Sequence, residues 1–204
     1  MKLRAIPAIA AAVLMGATSQ VAPAATVWNE AVNGDFSNNG LTPNPLTFTL
    51  GSNDVRGSTG DPGTGIDRDY FTFVVPAGAY LTGIFLLPDS NVSGGSSFLG
   101  MQAGPQFTVA TDGGGPGTLL GYVHYEPSMI GLNLLPQMAI SANPGLPSGA
   151  YSMWVQERSQ VVDYGLSFQI SAAPVPLPAG AMLLMSGLAG MASLRRRKGT
   201  QLSL

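Results

Sequence analysis

Tyr164, Leu166, Phe168 and Ile170 alternate with Gly165, Ser167, Gln169 and Ser171. An apolar residue at every second position buries one face of an extended strand and wets the other. The same period sets Phe71, Phe73 and Val75 against Tyr70, Thr72 and Val74, and Tyr151, Met153 and Val155 against Ser152, Trp154 and Gln156. Further strand candidates are residues 46–50, 80–87, 106–111, 119–125 and 137–142, separated by Pro76-Ala77-Gly78 and by the Gly- and Pro-rich stretches 112–117 and 143–149. Those residue types reverse the chain. The stretches 61–65 and 93–97 read as surface loops. No sustained helical period appears between residues 25 and 174, and no alternation of strand and helix. The expectation is an all-β body, an antiparallel two-sheet sandwich.

With no cysteine, neither disulfides nor thiolate metal sites can hold this fold, and packing alone must do so. The charges divide unevenly. Lys2, Arg4, Arg195, Arg196, Arg197 and Lys198 lie near the termini, whereas the body sets only Arg56, Arg68 and Arg158 against all 11 acids of the chain. Phosphate binding needs clustered cations, so nucleic acid is excluded as an expected partner.

Lys2 and Arg4 precede an apolar run over residues 6–15, and Ala22-Pro23-Ala24 offers the small residues a signal peptidase accepts, with Ala22 and Ala24 as the recognised pair and cleavage before Ala25. Residues 1–24 therefore read as a secretory signal helix. At the other end Val175, Pro176, Leu177, Pro178 and Ala179 lead into an uncharged apolar run that stops at Arg195, Arg196, Arg197 and Lys198. As a helix, residues 179–194 reach about 24 Å at 1.5 Å per residue. That is short for a hydrocarbon core about 30 Å thick. The basic cluster holds the C-terminus in the cytoplasm and leaves the body on the far side of the inner membrane.

This order of proline motif, short apolar helix and basic cluster resembles the PEP-CTERM class of bacterial sorting signals in its VPLPA variant. The resemblance implies a Gram-negative host, recognition by an exosortase-type transpeptidase, passage through the inner membrane, and delivery to the outer surface or extracellular matrix. The alternative is a plain single-span anchor with a proline-rich linker. The divisions are then a signal peptide (1–24), a β-sandwich (25–173), a sorting tail with a short transmembrane helix (174–198) and a cytoplasmic end (199–204).

Within the body, Asp67-Arg68-Asp69-Tyr70-Phe71-Thr72-Phe73 runs into Pro76-Ala77-Gly78, and Ser148-Gly149-Ala150-Tyr151-Ser152 is followed by Tyr164-Gly165-Leu166-Ser167. Over residues 46–171 this is similar to the bacterial pre-peptidase C-terminal domain. The resemblance implies a jelly-roll-like sandwich that binds or stabilises and does not catalyse.

Catalytic material is sparse. His124 is the only histidine, and no Gly-x-Ser-x-Gly elbow occurs. Glu126 and Glu157 end two strand candidates and are the pair a glycosidase reading would use. Asp61, Asp67 and Asp69 form the metal candidate, with calcium as the ion, because calcium takes carboxylate and carbonyl oxygens. The competing account is a turn in which the aspartates accept backbone amides. No other cofactor is expected. Trp154 is out of phase with its apolar neighbours, so it either faces outward as a glycan-stacking ring or belongs to a strand buried on both faces. Trp28, Tyr122 and Tyr125 are open in the same way. The expected role is a structural or adhesive module at the cell surface; the alternatives are a carbohydrate-binding module in extracellular polysaccharide and, third, a glycoside hydrolase.

Overall fold

The computed structural model describes residues 24–92, 97–110, 117–174 and 186–188. The signal segment up to Pro23, the Val175–Ala179 motif and the Arg195–Lys198 cluster lie outside the described residues. Among those described, no helix is long and apolar enough to cross a membrane.

Among the described residues nine strands form two packed sheets, a β-sandwich. In chain order they are β1 (Ala25–Asn29), β2 (Asn44–Leu46), β3 (Gly51–Thr59), β4 (Arg68–Val75), β5 (Ala79–Leu86), β6 (Phe98–Ala103), β7 (Leu119–His124), β8 (Gly149–Gln156) and β9 (Val162–Ala172), with one helical turn, α1 (Glu30–Asn33), after β1. One sheet has the order β1-β3-β9-β5 and the other β2-β4-β8-β6-β7. Only β6 and β7 are both consecutive in the chain and paired. From β1 to β6 and from β8 to β9 the chain crosses from one sheet to the other at each step, and two crossings restore its direction; β7 and β8 stay in the second sheet without pairing to each other. For that reason β1 runs parallel to β3 and β2 parallel to β4, which corrects the expectation of purely antiparallel sheets.

The period-two strands behave as their sequences require. Phe71, Phe73, Tyr151, Met153 and Val155 face Leu166, Phe168 and Ile170 across a continuous core, and Phe71, Phe73 and Phe168 make tilted and edge-on ring contacts. Strands β1, β3 and β6 escaped the pattern reading. β3 is the instructive miss, because Gly51–Thr59 contains one large apolar residue, Val55, yet pairs on both edges. Its buried Asn53 is satisfied by the backbone: the side-chain oxygen accepts Thr49 N at 2.9 Å and the amide donates to Thr49 O at 2.8 Å and Phe168 O at 3.3 Å. A buried polar residue with full partners costs little.

Three strand expectations are corrected. Of residues 46–50 only Leu46 is in a strand, as the last residue of β2, and residues 47–50 form the connection to β3. Residues 137–142 follow a single turn of 3-10 helix, Pro136–Met138, with Ala139 left-handed at φ 61°. The surrounding segment pads the open edge of β5, with Gly131, Leu134 and Leu146 donating amides to Leu86, Ile84 and Leu81, which blunts an edge otherwise open to pairing. The described part of 106–111 is a loop folded over the outer face of the second sheet, held by Thr108 N donating to Gln102 Oε1 at 2.9 Å and Gln102 Nε2 donating to Thr108 Oγ1 at 2.7 Å. Its Phe107 closes an outer cluster with Tyr70 and Trp154.

Candidate functional site

The inward row of β4 reads Val75, Phe73, Phe71 and then Asp69. Continuing the period two residues past Phe71 puts a carboxylate inside the sandwich, and Asp69 is 0% exposed. Across the gap, the inward row of β9 ends at Tyr164, whose hydroxyl donates to Asp69 Oδ2 at 2.7 Å. This bond links the two sheets at one end of the core. Gly57 of β3 makes room for it, because a β-carbon there would stand 2.6 Å from the Tyr164 hydroxyl and 3.0 Å from Asp69 Oδ2.

The N-terminal segment brings two further acids. Trp28 of β1 stacks on Phe36 at 5.0 Å, and Phe36 packs on Phe71 at 5.1 Å. Asn29 caps α1 by accepting Ala31 N. The turn carries Glu30 inward, where Oε1 accepts Phe36 N at 3.0 Å and Oε2 accepts Ser58 N at 2.7 Å. The Glu30 side chain thereby continues the edge of β3 beyond the last register pair, Asn29 with Arg56. Asp35 precedes the buried Phe36 and stays exposed. One carboxylate oxygen from each of Glu30, Asp35 and Asp69 lies within 4.8 Å of the others. Glu30 and Asp35 border an open concavity of about 650 Å³ that Asn29, Ser58, Asp67 and Tyr164 also line.

Cations near the cluster are engaged elsewhere. Arg56 is bound by Asp89 and lies 3.9 Å from Asp54, and Arg68 donates through Nε to Gln156 at 2.7 Å. The acids therefore lean on protons. Burial, reinforced by the neighbouring Glu30, pushes Asp69 up to about 9. Glu30 is pushed up to about 7 by burial, against the pull of the Phe36 and Ser58 amides. Burial also raises Tyr164 well above the ordinary phenol range, with Asp69 and Glu30 adding to the effect. Asp69 Oδ1 is buried and has no hydrogen-bond partner. Such an arrangement can hold protons or a hard cation.

Of the metal candidates read from the sequence, Asp69 is in this cluster. Asp67 is at its margin, half-buried and accepting Asn38 Nδ2 at 3.0 Å. Asp61 is apart from it, exposed, and accepts Gly63 N at 2.8 Å in the turn the competing account described. Glu30 and Asp35 were missed, since they precede the recognised strands and only the folding back of β1 brings them to β4.

Trp154 lies on the outer face of its sheet, as its phase implied. It is nonetheless 7% exposed, with Phe98 and Phe107 packed on it at ring distances of 4.5 and 5.6 Å. The outward glycan-stacking ring is corrected accordingly, because the 104–109 loop covers that face. Tyr125 is buried and Trp28 partly so, whereas Tyr122 is 45% exposed beside Phe98 and His124. Glu157 accepts Ser97 Oγ at 2.7 Å, Arg158 N at 2.7 Å and Ser159 N at 3.0 Å; Glu126 accepts Ser128 Oγ at 2.7 Å. Ala24, at the expected signal cleavage point, is exposed just before β1.

No protein family, curated protein or solved structure matches this chain.

Proposed function

We propose that this chain is an exported cell-surface or extracellular-matrix protein of a Gram-negative bacterium, trimmed by signal peptidase and an exosortase-type transpeptidase, whose sandwich serves as a structural or adhesive module. The observation that carries the reading is the ordered C-terminal sequence: Val175-Pro176-Leu177-Pro178-Ala179, the uncharged run to Leu194, then Arg195-Arg196-Arg197-Lys198. The uncharged run after the motif is short for permanent residence in a bilayer. A jelly-roll-like, non-catalytic body is part of the proposal. It draws support from the engagement of Glu157, at the end of β8, in scaffold bonds.

The test is the intact mass of the protein recovered from the cell surface, the medium and the membrane fraction. Loss of residues 1–24 and of everything beyond the proline motif is expected. Retention of residues 180–198 in the mature protein overturns sorting in favour of a plain anchor.

A second reading, carbohydrate binding within extracellular polysaccharide, is favoured by one specific observation: Tyr122 is 45% exposed on β7 and stacked against Phe98 at 5.9 Å. A ring held in place with one face open suits a sugar ring. Retention on exopolysaccharide that disappears with Tyr122→Ala supports it, and unaltered retention removes it.

A further inference from the structure

We propose that the end of the sandwich from which both chain ends emerge rests on the surface of a lipid bilayer, with the acidic end held away from it. The proposal takes from the reading above that the apolar run after the proline motif enters a membrane, and it applies to a sorting intermediate and to a plain anchor alike.

Strand direction fixes the two ends. The short connection 76–78 joins the end of β4 to the start of β5, and Gly60 bridges Asp67 where β3 passes to β4. The two sheets are therefore aligned, with Thr59, Arg68, Gln156 and Val162 at one end and Gly51, Val75, Gly149 and Ala172 at the other. β1 starts beside Asn53 and runs parallel to β3, so Ala24 leaves from the second end. Pro174 leaves there too, since Ala173 N donates to Gly78 O at 2.7 Å.

Charge is divided between these ends. Every connection at the first carries acid: Glu30 and Asp35 after β1, Asp61 and Asp67 between β3 and β4, Asp89 after β5, Glu126 after β7 and Glu157 after β8. Arg68 and Arg158 are also there and offset only part of it. At the second end, residues 45–53, 72–82, 101–110, 117–121, 134–153 and 168–174 contain no Asp, Glu, Lys or Arg. Asp54, at the middle of β3, is buried and accepts the Ser167 hydroxyl at 2.7 Å; Asp112 lies outside the described residues. Exposed apolar side chains occur at both ends, Val32 at the first and Leu50 at the second, so charge and not hydropathy sets the ends apart.

The tether is short. Only residues 174–178 lie between Ala173 and the apolar run that begins at Ala179, a reach of about 20 Å at most. That keeps the uncharged end close to the bilayer. A strand of eight residues is about 26 Å long, so a sandwich standing on its uncharged end holds its acids beyond a Debye length, about 8 Å, from the headgroups. Tipping over brings the acidic connections onto an anionic surface, and like-charge repulsion opposes it. Standing also presents Val175–Ala179 at the membrane face, where a membrane-embedded transpeptidase meets it.

The test is the full chain reconstituted in vesicles of phosphatidylcholine and phosphatidylglycerol that carry a nitroxide quencher on the headgroup. The chain has no cysteine, so a single introduced cysteine at an exposed position accepts one fluorophore: Leu50→Cys or Ala77→Cys at the uncharged end, Thr64→Cys or Ser128→Cys at the acidic end. Quenching at 50 and 77 is expected to be at least about threefold that at 64 and 128, because the two pairs stand about a strand length apart. The ratio shrinks in about 1 M salt, which cuts the screening length to about 3 Å. Ala77→Glu with Ser148→Asp, which puts acid on the docked end, lowers quenching at residue 50. Equal quenching at the two ends of a chain that co-floats with the vesicles overturns the docking and leaves the membrane segment standing. A chain that does not co-float overturns the membrane segment and the docking together. A ratio that neither salt nor the added acids alter overturns charge as the cause.

Discussion

Asp69 and Glu157 are both 0% exposed, and their surroundings are opposite. The carboxylate of Glu157 is enclosed by donors: the Ser97 hydroxyl on one oxygen, and the Arg158 amide, the Ser159 amide and the Ser159 hydroxyl on the other. Asp69 has one donor, the Tyr164 hydroxyl, on one oxygen and none on the other, and its nearest charged neighbours are acids. A fully bonded buried carboxylate organises the loop that follows β8, where the chain turns toward β9. A half-bonded one among other acids is incomplete without a proton or a cation. Burial alone does not separate a structural acid from a binding one; the inventory of donors does.

The comparison is sharpest at Glu157. Glu157→Ala removes an acceptor shared by several buried donors and is expected to cost about 3 kcal/mol in denaturant unfolding. A loss as small as that of Asp69→Asn would merge the two acids into one class.

Gly57→Ala acts on the other side of the comparison. The added methyl meets the Tyr164 hydroxyl at 2.6 Å, so it forces the tyrosine away from Asp69 at a cost of about 2 kcal/mol. Asp69→Asn in the same chain should recover little of this. Full recovery would mean that the strain lies in the Asp69–Tyr164 bond and not in the close approach of β3.

The smallest effect belongs to Asp69→Asn by itself. At neutral pH the carboxyl is already neutral, since burial pushes it up to about 9, and the amide of similar shape should shift stability by less than about 1 kcal/mol. Its signature is in the pH profile. Asp69 and Glu30 titrate near 9 and 7 in the folded protein against ordinary values of 3.8 and 4.5, so between these limits the folded state binds more protons than the unfolded one. The contribution of these two acids to stability therefore falls as pH rises from about 4 to about 9. Asp69→Asn flattens the upper part of that fall. A wild-type profile that Asp69→Asn leaves unchanged across this window would show Asp69 to be ionised and well solvated.

How much of this was legible follows the residues. Phe71, Phe73, Met153 and Phe168 announced their strands because alternation and burial coincide. Asp69 was legible as well, since its parity with Phe71 and Phe73 places it inside, yet an aspartate beside an arginine reads first as a turn. β3 was hidden because its inward positions are filled by Asn53, Val55, Gly57 and Thr59, whose fitness depends on partners far away in sequence: Phe168 for Asn53 and Tyr164 for Gly57. Trp154 had its face correctly given by phase, and its burial was decided by a loop carrying Phe107.

The chain by itself determined a mostly β body without disulfides and the faces of its period-two strands, since local pattern and composition set these. Tertiary structure alone decided that the chain alternates between sheets and so makes β1 and β2 parallel edges, and that Glu30 and Asp35 meet Asp69. The physical reason is that both outcomes depend on which distant segments bury each other, and an acid acquires its shifted proton and its missing partner only from neighbours that folding supplies.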